Sequence, residues 1–326
     1  MFRLVFVLML CCGLAVHAQK IKKEDYFFID RLVQEAGPMK GYSLSYIVDS
    51  ITKDCKTELQ STRAFYRWEA LFVAFDTRRF CHPANTADNA STALMERKAA
   101  GEGFAQLFKA MCDLKKIDCV VVKGLLRRRL KDIGQVDEDA VHYWNVITIH
   151  HTSYLVDASL SGGLPDEKGK HFMKEYTDAW WLCNRKLFVC THLPDDKSMQ
   201  LLEIPVTKSE FAQGPLVLPG AIVAGLVPTK TVKGLLRGVA DSSAAMKFNF
   251  AGNLDLSTVQ VSFDEGKRLD VPFDFDEFGI YLNLPNGPAG KHVADVYIKN
   301  KTAFRFRTEM RPALKKKNQS GAKKPA

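Results

Sequence analysis

A histidine at position 142 and an aspartate at position 157 lie on two successive strand-like runs, "HYWNVITIHHTSYLVDASL", downstream of a helix-like run that opens at Gly101. An imidazole held by a carboxylate has its tautomer fixed and can take a proton from a nucleophile, while a helix N-terminus lowers the pKa of a thiol placed there. Helix start, histidine and aspartate therefore follow one another in the order that Cys-His-Asp chemistry uses. The helix, however, opens Ala99-Ala100-Gly101-Glu102-Gly103-Phe104-Ala105, with no thiol. Cys112 is 11 residues further on. At 1.5 Å per residue that is ~16 Å along the helix axis, too far to replace a nucleophile beside Gly101. Glu102 could work with His142 as an acid/base pair acting on water, although an adjacent helical residue points about 100° away from position 101. His150, His151, His171 and His192 show no i, i+4 spacing and read as surface or turn residues, and no two cysteines form a C-x-x-C knuckle, so neither metal nor cofactor is expected.

The elements that must position these groups can be read from periodicity. Residues 25–36, "DYFFIDRLVQEA", and the longer run 43–77 place apolar side chains at helical spacing, with Gly37-Pro38 closing the first. Residues 78–100 read as a polar loop. Residues 101–116 form a helix with Phe104, Leu107, Phe108 and Met111 on one face, and "IDCVVVKGLLR" is a β-branched run suited to a buried strand. Next comes a hairpin with a tight turn at His150-His151-Thr152-Ser153. After Pro205 the texture changes to short alternating runs, "AMKFNFAG", "STVQVSFD", "VPFDFDE", "GIYLNLP", "HVADVYIKN" and "TAFRFRTEM", which predict an antiparallel β-sandwich. The fold class is α+β.

At the residues quoted above the chain resembles the transglutaminase-like family of papain-fold proteins, in particular its kyphoscoliosis-peptidase and cytokinesis-type branch. In that family the helix opens Gly-Val-Cys-x-Gly-Tyr-Ala or close to it. A second signature, His-x-Trp-Asn followed by a strand ending Tyr-x-Val-Asp-Ala, corresponds to His142-Tyr143-Trp144-Asn145 and Tyr154-Leu155-Val156-Asp157-Ala158. "LFVCTHLPDDKSMQLLEIPVTKSEF" is similar to the branch's aromatic, His-x-Pro and Gln-Leu-Leu run, and Asp76 stands in the place of an upstream acidic residue. The resemblance covers about 60–212. It implies a papain-like transglutaminase-like domain at 60–212, preceded by a helical lead-in (19–59); the patterning described above then gives a linker (213–229) and an Ig-like β-sandwich (230–311). It also implies that Gly101 stands in the nucleophile's position, leaving His142 and Asp157 as a vestigial dyad. A cleft beside them, with Glu102, Trp144 and Asn145 as binding residues, would hold a peptide, protein or cell-wall glycan segment without cleaving it. The competing expectations are a hydrolase using Glu102, His142 and water, and a scaffold whose cleft is vestigial.

The two ends carry their own signals. "MFRLVFVLMLCCGLAVHAQK" has one early cation, an apolar run and Val16-His17-Ala18 before Gln19, the pattern of a secretory signal peptide occupying 1–18. Nothing later is apolar for long enough to span a membrane, so the expected location is extracytoplasmic, secreted or periplasmic. Of eight cysteines, two fall in the leader, and the remaining six permit disulfides, the nearest pairs being Cys55/Cys81, Cys112/Cys119 and Cys183/Cys190, or else stay as buried thiols. Net charge is +9, and the last residues, "RPALKKKNQSGAKKPA", hold six cations and no acid. Such a tail (312–326) is expected to be disordered and able to meet an anionic polymer. No aromatics interleave with its lysines, and no nucleic-acid motif is present.

Overall fold

The computed structural model describes residues 26–81, 88–166, 168, 170–251, 256–277 and 279–313. The expected leader at 1–18 and the tail beyond 313 lie outside the described residues. Three helices come first: α1 (Phe27–Ala36), α2 (Leu44–Thr52) and α3 (Glu58–Phe72). Gly37 closes α1 at φ 74°, a conformation open to glycine at little cost. Ser43 and Thr57 cap α2 and α3 by accepting from the Tyr46 and Gln60 amides, so the long helical run is broken in two by its own capping residues. The expected polar loop at 78–100 is also interrupted. It holds most of α4 (Thr77–Cys81), then α5 (Ala90–Glu96) and β2 (Lys98–Ala99), which pairs in parallel with β1 (Ala74–Phe75) just before the loop. Asn89 and Thr92 form a capping box at the start of α5, a local signal that its polar composition conceals.

Helix α6 (Gly101–Leu114) follows, burying Phe104, Leu107, Phe108 and Met111 as its periodicity requires. It packs on an antiparallel sheet in the order β5-β4-β3-β8, formed by β3 (Asp118–Leu126), β4 (Val141–Ile149), β5 (Thr152–Val156) and β8 (His192–Pro194). The small β6 (Gly163–Pro165) and β7 (Phe172–Lys174) pair, and α7 (Arg185–Phe188), lie between β5 and β8 in the chain. Only His150 and His151 connect β4 to β5, both at positive φ (48° and 62°), the backbone of a two-residue type I′ turn whose twist matches its strands.

The six alternating runs after Pro205 lie on strands of two facing sheets. One holds β10 (Leu226–Pro228), β12 (Ser243–Phe250), β16 (Gly279–Pro285) and β15 (Phe273–Asp276). The other runs β11 (Leu235–Val239), β18 (Lys301–Arg311), β17 (Gly290–Ile298), β13 (Val259–Phe263) and β14 (Leu269–Asp270). All pairs are antiparallel except β11 with β18. The expected linker at 213–229 is instead structured: after α8 (Lys208–Gln213), β9 (Leu216–Val217) pairs with β18, α9 (Pro219–Ala224) covers it, and β10 joins the first sheet. Leu216, Val217, Ala221 and Leu226 are buried, which a solvated connection would not tolerate.

The two halves share one core. A single apolar cluster runs from Trp144, Trp180 and Phe188 on the side of α6 and its sheet to Val217, Phe248 and Phe304 in the sandwich. At the junction, buried Arg127 donates to the carbonyls of Cys190, Ala212, Gly214 and Pro215. Burial pulls its pKa down to about 10, so the guanidinium remains charged at neutral pH. Because apolar contact crosses the junction without a break, calorimetry of the full chain is expected to show one cooperative unfolding transition. Replacing Arg127 with Met should lower it, since about 2–4 kcal/mol is lost when a hydrogen-bonded buried charge is removed and four carbonyls lose their donor. Two resolved transitions would show that the halves are energetically separate.

A buried aspartate with two histidines

Side chains alternate along β4, so His142, Trp144 and Val146 share one face, and Asn145, Ile147 and Ile149 the other. The first face meets β8 and α7; the second lies under α6. Gly124 on β3 is paired with both His142 and Pro194. A Cβ there would fall 2.6 Å from the Trp144 ring and 2.2 Å from the Leu193 carbonyl oxygen, so only glycine lets the indole and β8 approach.

Asp157 follows the end of β5 and its carboxylate is the hub of the site. One oxygen, Oδ2, lies 2.7 Å from His142 Nε2 and 3.1 Å from His192 Nε2. The other, Oδ1, accepts from the Ser159 hydroxyl at 2.7 Å, the Ser159 amide at 2.9 Å and the Leu160 amide at 3.4 Å. His142, Asp157 and His192 are 1%, 1% and 0% exposed. Burial alone would raise the Asp157 pKa, but the two imidazoles outweigh it and hold the carboxyl well below the usual range. Burial lowers His192 to about 4 against the upward pull of Asp157. With Asp157 ionised and His192 neutral, each ring donates Nε2–H to Oδ2, and the Thr191 hydroxyl, 2.7 Å from His192 Nδ1, donates to that nitrogen.

Gly101 begins α6 against this network. A Cβ added to it would meet His142 Nδ1 at 2.6 Å and Cε1 at 2.8 Å. The imidazole thus occupies the space that any side chain at 101 would need. Two of the amides at the start of α6 are already taken. Asp88 accepts from the Ala100 amide at 3.0 Å and the Gly103 amide at 2.8 Å, and a Cβ on Gly103 would lie 2.3 Å from its carboxylate. This carboxylate, 12 residues upstream of the N-cap across the loop, does the capping that Ala100 cannot.

The expected binding residues separate. Trp144 is buried, stacked on His142 and edge-on to Phe188 and His192, because its face of β4 is covered by the shared core; it walls no open cleft. Asn145 is buried on the opposite face, donating to the Ala105 carbonyl inside α6. Glu102 remains part-exposed, its pKa raised by partial burial and by Asp88 against Lys123. Among the described residues no hydrogen bond or ion pair joins it to His142. Cys112 is buried, and burial together with Cys119 pushes its thiol up, the opposite of activation. All six cysteines among the described residues are free thiols.

His192 is the residue that spacing missed. Read as a surface histidine, it is buried, stacked on Phe188 at 3.9 Å and bonded to Asp157. Its signal was the His-x-Pro run itself, whose three residues form the short β8. The three groups also bring two imidazole nitrogens and a carboxylate oxygen within 4.8 Å of one another, a donor set that suits zinc. In this structure both Nε2 atoms lie instead at hydrogen-bonding distance from Asp157 Oδ2.

No protein-family model matches this chain. Among curated proteins, kyphoscoliosis peptidase of Mus musculus is 27% identical over 169 residues, which is 52% of this chain and 26% of that protein. Lim and transglutaminase domain protein ltd-1 of Caenorhabditis elegans is 23% identical over 205 residues, 59% of this chain and 28% of that one. This chain is transglutaminase-like. It spans about a quarter of the length of these relatives. A solved structure described as a crystal structure of a TGase is also similar, at 16% identity and a TM-score of 0.28, covering 50% of this chain and 39% of that one.

Acid should find this transglutaminase-like site first. His192 has a folded pKa of about 4 against an ordinary 6.5, so between those values the unfolded chain holds more protons and stability falls as pH falls. Asp157, also depressed, adds a second loss below its ordinary 3.8. Urea midpoints are expected to be steady above pH 7 and to decline from about 6.5 downward, and His192→Phe should flatten the decline above pH 4. A slope unchanged in that variant would remove His192 from the cause. Asp157→Asn, which sets an amide against the ring N–H groups, should cost about 3–5 kcal/mol by the same urea measurement.

Proposed function

We propose that this chain is a pseudoenzyme: a transglutaminase-like module in which Gly101 stands where the family has its nucleophile, and which binds a peptide or protein segment without turning it over. The observation that carries this reading is the 2.6 Å separation between His142 Nδ1 and the place of a Cβ on Gly101. A base this close to an empty position has no thiol to deprotonate, and covalent catalysis is lost with the nucleophile. Burial of His142 and Asp157 supports a structural task for the dyad and argues for binding beside it rather than upon it. The water-using alternative with Glu102 has no contact with His142 to support it.

Placement outside the cytoplasm is part of the proposal and rests on the leader-like residues 1–18. Mass spectrometry of protein recovered from culture medium should find an N-terminus at Gln19, and an intact Met1 on cell-retained protein would overturn export.

Two further outcomes test the site. Wild-type protein should show no peptidase, amidase or cross-linking turnover that iodoacetamide abolishes; such turnover would reveal a working thiol and end the pseudoenzyme reading. Gly101→Ala should destabilise by about 1–3 kcal/mol through overpacking, although helix propensity alone favours alanine by about 1 kcal/mol. Adding His142→Ala should relieve most of the Gly101→Ala penalty in a double-mutant cycle read by urea unfolding. An additive cycle would mean that the ring and position 101 do not share space.

A further inference from the structure

Beside the buried dyad, on the far side of Ser159, runs a groove of about 510 Å³ between the end of α3, β1 and β7. Its apolar wall includes Leu71 and a ladder of three rings: Phe104 of α6, Phe75 and Phe172. Phe75 stacks on Phe172 at 5.1 Å and 10° and on Phe104 at 6.5 Å and 27°. Lys40, Arg97 and Lys174 stand along the groove, and no acidic residue is among the described residues that line it. Lys40 and Lys174 are exposed and make no ion pair among the described residues. Arg97 lies over the Trp68 ring and donates to the Met39 carbonyl, with no carboxylate partner among the described residues. Lys40 and Arg97 also line an adjoining hollow of about 350 Å³ with Tyr42, Met95 and Glu96, whose carboxylate is paired with Arg79.

Resting on the reading of this chain as a binding module, we propose that this groove takes an acidic peptide segment bearing an aromatic or large aliphatic side chain: the apolar side chain lies against the phenylalanine ladder, and flanking carboxylates meet Lys40, Arg97 and Lys174. The chemistry of the lining selects that occupant. A sugar presents hydroxyls that need directional partners, yet apart from the three cations the only polar side chain among the described lining residues is Ser159. Its hydroxyl is committed to Asp157. The chain's own basic tail has the wrong sign, and a second copy, at net charge +9, is repelled.

The test is fluorescence anisotropy on the full chain with a labelled Asp-Glu-Phe-Leu-Asp-Glu peptide, the same peptide with lysine for every acid, and the same peptide with alanine for Phe and Leu. The acidic aromatic peptide is expected to bind at least tenfold more tightly than either control, and more weakly as salt rises. Lys40→Glu with Lys174→Glu, two exposed positions whose exchange should leave the unfolding midpoint unchanged, should weaken it at least tenfold. Equal affinity for acidic and basic peptides, no effect of the charge reversal, or no binding at millimolar peptide overturns the proposal. So does capture of a sulfated oligosaccharide or of phosphatidylserine vesicles in place of the peptide. Failure here leaves the absence of thiol-dependent turnover standing, and thiol-dependent turnover would leave the groove's selectivity measurable, so the two readings fail separately.

Discussion

One carboxylate sets the geometry of the site. Asp157 is sealed from solvent, and an ionised group in an apolar interior is tolerated only when donors surround it. They come from three directions: His142 on β4, His192 on β8, and the Ser159 and Leu160 backbone on its own loop. Since β4 and β8 both flank β3, the aspartate ties together strands that the sheet alone would leave joined only through β3. Removing any one donor leaves the charge under-satisfied, so the network persists or fails as a unit.

The second half of the molecule depends on the same face. His192 stacks on Phe188, Phe188 meets Trp144 and Trp180, and that aromatic group belongs to the cluster that continues into β9, β12 and β18. The sandwich therefore packs behind the aromatic group that covers one side of the histidine pair. Arg127 fixes the chain on its way from one half to the other by donating to the carbonyls of Ala212, Gly214 and Pro215, which explains why a stretch rich in Gly, Pro and small residues is ordered.

Much of this was legible in the sequence because it is local. The His142/Asp157 pair follows from strand alternation across a hairpin whose two-residue turn is short enough to fix register, and the sandwich strands announce themselves by their period. What was hidden is set by contacts between distant segments. His192 reaches Asp157 across 35 residues, and Asp88 caps α6 from beyond a loop. Nothing at position 144 reveals that its face of β4 is covered by α7 and β8 from 40 or more residues downstream, so an aromatic that could wall a cleft reads the same as one sealed in a core. The segment 213–229 misled for a related reason: Gly and Pro mark turns, and turns between very short elements have the composition of a linker.

Glycine at 101 and the Asp157 network require each other. His142 cannot retreat from the helix without lengthening its bond to Asp157, and Asp157 cannot follow it without losing His192 and the Ser159 and Leu160 amides. Any side chain at 101 larger than hydrogen must therefore displace a ring that is held at its other end by a buried charge. A single substitution that introduces a thiol at this position would set its Cβ 2.6 Å from His142 Nδ1, closer than van der Waals contact allows, so the ring must shift before it can act as a base. Glycine at 101 is thus built into the packing of the surrounding strands. A side chain there would require the ring, the carboxylate and the covering face of β8 to move together.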